Sequence, residues 1–435
     1  MVILSEDQLA LFLQRLKSDA ALQQRVKGVL VVPGSPTSLT PADSFPLASY
    51  APYSNRGYAW NRNGTGISNL DNGTLPVFLL EGDMAVQGQL RAGANALKNF
   101  NGPLHEAELD ATMFASGNAS ECITQGSCLP LGGHSVWATL PPLPVTGSDN
   151  KPVVLVAAGM DSTAFFHARA KGADAPLSGL IAMLAAAEAL GNSSYAEVYR
   201  KRIVFAAFAG EPWGYMGSKR FLWELHSREN STSGLSLEQI EQAQPPVVEM
   251  GQVGRAADAS GQSAFYLHFQ REASFGAADN LVKAFLRAGD DNAEVSEASS
   301  HNPGLPPSSL MSFLRVKPGI SGVVLGDFNT HFINPFYQSH LDANVSIDAV
   351  TSAAVVAARA LHETAFGGSE VPSLKVTRSA VRATVAALMK CLLTEEPGMR
   401  CQLADALISP IFRGEPLHYI STLPLLGQDS QVCYF

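Results

Sequence analysis

RIVFAAFAGEPWGYMGSKR, residues 202–220, is the stretch whose reading decides the fold. Residues 203–209 form a short apolar run rich in β-formers that stops at Gly210-Glu211, and apolar residues at helical spacing resume from Trp213. A buried parallel strand running into a helix has this pattern. In open α/β sheets ligands collect outside the carboxyl ends of the strands, so Glu211 stands where such a fold keeps its chemistry.

The same alternation continues on both sides of that stretch. Strands are expected at 153–158, 264–269 and 322–325, and helices at 178–190, 213–225, 277–287, 347–366 and 381–393, with 289–309 as a long polar loop. Strands alternating with helices imply an α/β fold with a mainly parallel, helix-covered sheet. Upstream, Ser5 and Gln8 have capping-box spacing before a helix at 6–16 that carries Leu9, Leu13 and Leu16. Strands at 29–32 and 75–81 complete a smaller α/β unit. The segment 141–152, PPLPVTGSDNKP, is the best linker. The chain is therefore divided into a small N-terminal lobe, residues 1–145, and a large lobe, residues 146–435. Trp60 lies in a Gly/Asn loop, YAWNRNGTG at 58–66. There it either tucks back onto its own lobe or serves as a lid or partner contact.

Composition narrows the function classes. The 435 residues are 46% hydrophobic and 16% charged, which describes a globular chain rather than a disordered one. Thirty basic against 39 acidic residues, with no basic run, argue against nucleic acid as a partner. No apolar run is expected to reach the ~18 to 20 residues of a membrane span, since residues 180–190 are interrupted by Glu188. The opening residues lack signal-peptide pattern, so the chain reads as soluble, and either cytosolic or lacking its ends. Cys122 and Cys128 lie six apart in a Gly/Ser-rich loop with no His nearby, and a local disulfide is the reading taken over zinc. Cys391 and Cys401 flank a Pro-Gly turn, and Cys433 is left over, which points to a partner beyond Phe435. Sequons at Asn63, Asn72, Asn118, Asn192, Asn230 and Asn344 arise by chance or mark glycosylation. With the cysteines they point to a secretory compartment.

Several catalytic motifs are missing. The sequence has no Gly-x-Ser-x-Gly elbow, no His-Glu-x-x-His, no Walker loop and no Gly-x-Gly-x-x-Gly after a strand. What remains is a set of strand ends: Gly159-Met160-Asp161-Ser162, Gly172-Ala173-Asp174 leading to Ser178-Gly179, Gly210-Glu211-Pro212-Trp213-Gly214, VEMGQVG at 248–254 and FYQSHLD at 336–342.

That order resembles the di-zinc aminopeptidase and transferrin-receptor-like superfamily, whose ligands come from these five stretches. The resemblance implies a first His position at Gly159, a bridging carboxylate at Asp174, a general base at Glu211 and a neighbouring ligand position at Pro212. The remaining two ligand positions fall at Gly251 and Gln338. Glycine and proline side chains offer no donor, and a catalytic zinc needs about three protein ligands. No metal and no cofactor are expected. A working peptidase would need shifted ligands from His340 or His167.

Within the superfamily the chain resembles the nicastrin family, from about residue 20 to residue 420. The similar stretches are LPVFLLE at 75–81, LAAAEAL at 184–190, GEPWGYMGS at 210–218, GQV at 251–253, and GLPPSSLMSFLR, SGVVLGDF and NPFYQSHLD within 304–342. The resemblance implies a non-catalytic subunit of the γ-secretase intramembrane protease complex, on the lumenal or extracellular side of endoplasmic reticulum, Golgi and plasma membrane. Its partners would be presenilin and two smaller multi-helix subunits, with a membrane helix absent from this chain. Its task would be to receive or screen shed stubs of type I membrane proteins and to stabilise the complex. Glu211, Tyr215 and Asp174 are then the substrate-binding candidates, with Glu211 and Asp174 forming a carboxylate site for a free amino group. Trp60 and Phe165 are the lid contacts. The family's Asp-Tyr-Ile-Gly-Ser segment stands here as Gly214-Tyr215-Met216-Gly217-Ser218, so any role of that Asp is lost. An active zinc aminopeptidase and a transferrin-receptor-like binding module are the alternatives.

Overall fold

The N-terminal lobe begins with β1 (Val2–Ser5), α1 (Glu6–Ser18), α2 (Ala20–Arg25) and β2 (Val29–Val32), and continues with β3 (Val77–Leu79) and α3 (Gly82–Leu97). The computed structural model describes residues 1–34, 57–62, 75–97, 104–106, 124–126, 133–144, 150–166, 169–243, 247–256, 262–270, 279–368, 370–394 and 401–407. Ser5 and Gln8 form the capping box that starts α1. Leu9, Leu13 and Leu16 then recur on one face and bury against Leu4, Val29 and Val31. The three strands pair in parallel in the order β1-β2-β3.

The large lobe is built on a seven-stranded sheet. Its elements are β4 (Val136–Leu140), β5 (Val153–Gly159), α4 (Gly179–Gly191), β6 (Arg202–Phe208), α5 (Met216–Ser227), α6 (Leu237–Gln242) and β7 (Val247–Met250). They are followed by β8 (Ser263–His268), α7 (Asp279–Ala288), β9 (Ala293–Glu297), α8 (Leu310–Val316), β10 (Gly322–Gly326), α9 (Ile347–Phe366) and α10 (Arg378–Met389). The strand order is β4-β6-β5-β7-β10-β8-β9. β6, β5, β7 and β10 run parallel, while β4 and the parallel β8-β9 pair run antiparallel to their neighbours.

The central strands read as continuous apolar runs because both their faces are covered. Along β5, Val154, Val156 and Ala158 join Ile181, Phe285, Val356 and Leu361 on the face covered by α4, α7, α9 and α10. Val153, Leu155 and Ala157 join Phe221, Ile240, Leu310 and Phe313 on the other. Each fully buried Leu or Phe stabilises the fold by roughly 1.5–3 kcal/mol. The expected α/β class and mainly parallel sheet are therefore what forms.

Some local expectations give way. The polar loop expected at 289–309 contains β9, in which Ala293 and Val295 point inward and Glu294 outward. The helix expected from Trp213 starts at Met216, because Gly210, Gly214 and Tyr215 all take positive φ. The helix expected at 381–393 ends at Met389 and widens into a π turn, Lys390–Thr394. Residues Ala173–Gly191 do have the length and apolarity of a membrane span, contrary to the expectation, but they are 72% buried. That run is bent at Ala175-Pro176, so its regular helix is α4, packed in the core. β4 precedes residue 145 yet forms the edge of the large sheet, in register from Val136 opposite Ala207 to Leu140 opposite Ile203.

Candidate functional site

The parallel strands end together on one side, and a cleft of about 710 Å³, open to solvent, lies there between the loops. β6 delivers the chain into Gly210 (φ 84°), one 3₁₀ turn Glu211–Trp213, Gly214 (φ 82°) and Tyr215 (φ 59°). A tyrosine in the left-handed region costs on the order of 1–3 kcal/mol unless its surroundings hold it. Here the buried Tyr215 hydroxyl accepts from the Ser308 amide at 3.0 Å and reaches the Met311 sulfur at 3.6 Å. The tight double turn aims Glu211 back over the start of α5.

Glu211 is only 7% exposed and its carboxylate is already committed. Oε1 accepts from the Ser218 amide at 2.7 Å, and Oε2 accepts from the hydroxyls of Ser218 at 3.0 Å and Ser309 at 2.9 Å. Burial raises its pKa to about 7 against the lowering effect of those hydrogen bonds. Glu249, from the centre of β7, lines the same cleft. Its oxygens accept from the amides of Ser309 at 3.1 Å and Leu310 at 3.2 Å, at the start of α8. Burial, reinforced by the charge of Glu211, raises its pKa to about 8. Sequence reasoning missed Glu249. The available signal was a carboxylate inside VVEM, an otherwise apolar strand of a sheet covered on both faces.

Asp174 does not join them. It is fully buried, is absent from the cleft lining, and its Oδ1 accepts from the Gly254 amide at 2.9 Å and the Ser178 hydroxyl at 3.2 Å. Oδ2 faces the Arg255 guanidinium at 3.7 Å. Asp342 accepts from the amides of Asp174 and Ala175, and Asp327 from the amide of Arg255. Burial first, then the neighbouring Asp342 charge, raises Asp174 to about 7. The carboxylate site expected from Glu211 and Asp174 is thus replaced by Glu211 with Glu249, because the Asp174 loop turns its side chain toward Gly254 and Arg255.

The positions implied for zinc do not fit the metal. Gly159 and Pro212 carry no donor, Gln338 sits at φ 52° and donates its amide to Tyr337 at 3.3 Å, and three of the roughly four lone-pair sites of Glu211 accept from Ser218 and Ser309. Among the described residues no three His, Cys, Asp or Glu side chains are grouped to hold a metal ion. His340 hydrogen-bonds Glu6 of α1 at 3.1 Å. His167 lies outside the described residues.

The two lid candidates are exchanged between lobes. Trp60 is fully buried in the large-lobe core, stacked on Phe332 at 6.2 Å and edge-on to Phe328 and His268, and its carbonyl accepts from the Phe332 amide at 2.7 Å. Phe165 packs edge-on against Phe166 at 5.1 Å, within the N-terminal lobe's core. Asn192 and Asn344 are exposed and Asn230 begins a short 3₁₀ turn, while Asn63, Asn72 and Asn118 lie outside the described residues. Cys122 and Cys128 also lie outside them, and Cys391 is bonded to Cys401.

Comparison with known proteins gives a consistent result. The sequence model of the nicastrin large lobe matches residues 152–389, and that of the nicastrin small lobe matches residues 1–115. Nicastrin of Arabidopsis thaliana is 36% identical over 462 residues, covering 100% of this chain and 66% of the relative. Human nicastrin is 28% identical over 353 residues, covering 73% of this chain and 48% of the relative. The chain therefore spans about half to two-thirds of the length of these relatives. A crystal structure of the gamma-secretase component nicastrin superposes with a TM-score of 0.69 at 20% identity, over 97% of this chain and 76% of that one. At that identity the likeness speaks for the fold.

Proposed function

Because the chain belongs to the nicastrin family, we propose that it is a non-catalytic subunit of a γ-secretase-type intramembrane protease. In this reading it stands on the lumenal or extracellular side of the membrane beside presenilin and two smaller multi-helix subunits. It screens shed stubs of type I membrane proteins and stabilises the assembly. The supporting observation is the commitment of Glu211. A general base must have a lone pair turned to the water it activates, whereas three of the roughly four lone-pair sites of the Glu211 carboxylate accept from Ser218 and Ser309.

The same observation favours screening by the bulk of the two lobes over direct capture of a stub's amino group by Glu211. Trp60, from the N-terminal part of the chain, is buried among Phe328 and Phe332 and supports a role as lid anchor between lobes divided near residue 145. Trp60→Ala should raise the protease sensitivity of the 141–152 segment several-fold; unchanged cleavage there would remove the anchor role. Purification of the full-length gene product from membranes tests the main reading. Recovery with an aspartyl intramembrane protease is the expected result. Stoichiometric zinc with aminopeptidase activity, or recovery with an unrelated ligand protein and no protease, would overturn it.

A further inference from the structure

We propose that Glu6 and His340 form a buried clasp through which the N-terminal lobe positions the wall of the cleft at Tyr337 and Gln338, so that docking of the lobe and the shape of the cleft are coupled. The two side chains come from different lobes and lie 334 residues apart, yet Glu6 Oε1 and His340 Nε2 meet at 3.1 Å with 10% and 6% of the side chains exposed. His340 Nδ1 is buried and has no hydrogen-bond partner among the described residues. Glu6 is therefore the group that satisfies the ring, and its loss would leave a buried imidazole with neither nitrogen partnered. The surrounding contacts fix the pair. Glu6 stands in the first turn of α1, where the Ser5 and Gln8 capping box holds the backbone. The Phe166 ring, edge-on to the imidazole at 5.2 Å, packs in the same N-terminal core as Leu9 and Leu13. Arg169 also pairs with Glu81 of the N-terminal lobe, but that pair is exposed and contributes little.

His340 belongs to a compact loop, residues 336–342, whose turns close on themselves. The Ser339 amide donates to the Phe336 carbonyl at 2.9 Å, the Asp342 amide to the Ser339 carbonyl at 3.0 Å and the Leu341 amide to the Ser339 hydroxyl at 3.2 Å. A loop bonded in this way opens as a unit rather than residue by residue. On one side of His340, Tyr337 and Gln338 line the cleft, with Gln338 held at φ 52°. On the other, the Asp342 carboxylate accepts from the amides of Asp174 and Ala175. A glutamine in the left-handed region persists only where its surroundings over-determine it, and the clasp two residues away is one such restraint. Coupling of this kind is reciprocal, so a change in the cleft wall must alter how firmly α1 is held. The inference stands apart from the screening reading, since it concerns only how the two lobes act on each other.

The test is amide hydrogen exchange, read by mass spectrometry, on the full-length gene product and its variants. Glu6→Leu removes the acceptor and should speed exchange of the 336–342 segment about tenfold, and of residues 173–175, whose amides Asp342 holds, about threefold. The opposite lip of the cleft, where the amides of Ser309 and Leu310 donate to Glu249, should not change. Glu6→Gln keeps an acceptor and should restore most of the protection. His340→Leu should act in the reverse direction, speeding exchange in α1 about tenfold. The double variant Glu6→Leu with His340→Leu should exchange more slowly than the sum of the single effects, because an apolar pair leaves no buried polar group unpaired. Should one single variant fail to fold, the other and the double variant carry the comparison. Unchanged exchange at 336–342 in Glu6→Leu, unchanged exchange in α1 in His340→Leu, or additive effects in the double variant would overturn the proposal. An equal rise at Ser309 and Leu310 would overturn it too, since that marks a general loss of stability rather than a clasp.

Discussion

Two groups of buried carboxylates lie beside the ends of the central strands, and they are stabilised by different means. Glu211 and Glu249 open on the cleft and are held by serine hydroxyls and the amides of the α8 start. Asp174, Asp342 and Asp327 are sealed, at 0%, 0% and 4% exposure, and are held by backbone amides and the Arg255 guanidinium. The second group ties three loops together, because Asp342 caps the Asp174-Ala175 turn and Arg255 leads on from β7. Burial of acids is therefore no mark of a catalytic centre in this fold. What separates a structural carboxylate from a reactive one is whether a lone pair faces solvent. The loop after β7 serves both, since Gln252 lines the cleft and Arg255, three residues on, enters the acidic cluster.

The comparison is broken most directly by removing the cation. Arg255→Met leaves three buried acids without their counter-charge, and should lower stability by about 3 kcal/mol at pH 7.5, as measured by urea unfolding. The deficit should shrink at pH 5.5, where the acids protonate instead. A loss under about 1 kcal/mol at pH 7.5 would mean that Arg255 does not compensate the cluster.

Acidity sharpens the contrast next. Glu211 and Asp174 stand at about 7 and Glu249 at about 8, all above the ordinary carboxylate range near 4. The folded protein therefore binds more protons than the unfolded chain between about pH 4 and pH 8. Their contribution is fully present below about pH 4 and is lost as pH rises through 7 to 8. The protein should melt at a higher temperature at pH 5.5 than at pH 8, with Glu211 alone accounting for about 2 kcal/mol. His331 and His362, held below their usual value by burial, act in the opposite sense as pH falls below about 6.5. Glu211→Gln and Asp174→Asn should each flatten the wild-type slope. A wild type equally stable at pH 5.5 and pH 8, with both variants unchanged, would sink the assignment.

The framework was legible in the sequence where burial is two-sided. The runs at 153–158 and 203–209 could only be central strands, and the apolar spacing of 347–366 matches α9. β9 was hidden because the charges of AEVSE, Glu294 and Glu297, stand three residues apart at its exposed positions, so its period of two is masked. β4 was hidden because an edge strand with Val136 at 61% exposure has no buried face to announce it. The position of Glu211 was readable from a strand end. Its partners were not, because Ser309 is 98 residues away and the Glu249 contact to the same serine spans 60. Asp174 was misplaced for a similar reason, since the turn that directs it toward Gly254 is fixed by Asp342, 168 residues further on.

The smallest expected effect isolates the link between the cleft's two acids. Ser309 is shared: its hydroxyl donates to Glu211 and its amide to Glu249. Ser309→Ala removes the hydroxyl alone, leaving Glu211 with the Ser218 amide and hydroxyl. One hydrogen bond to a buried carboxyl should be worth about 1–2 kcal/mol when Glu211 is ionised, and less when it is protonated. The loss should therefore be larger at pH 8 than at pH 5.5, and the Glu211 titration, followed by carboxyl-labelled NMR, should move upward because a donor that favours the charged form is gone. The Asp174 resonance should stay where it is, since its partners are Gly254, Ser178 and Arg255. If Ser309→Ala instead moved Asp174 and Glu211 together, the two groups of acids would be one coupled network, and the contrast between them would fail.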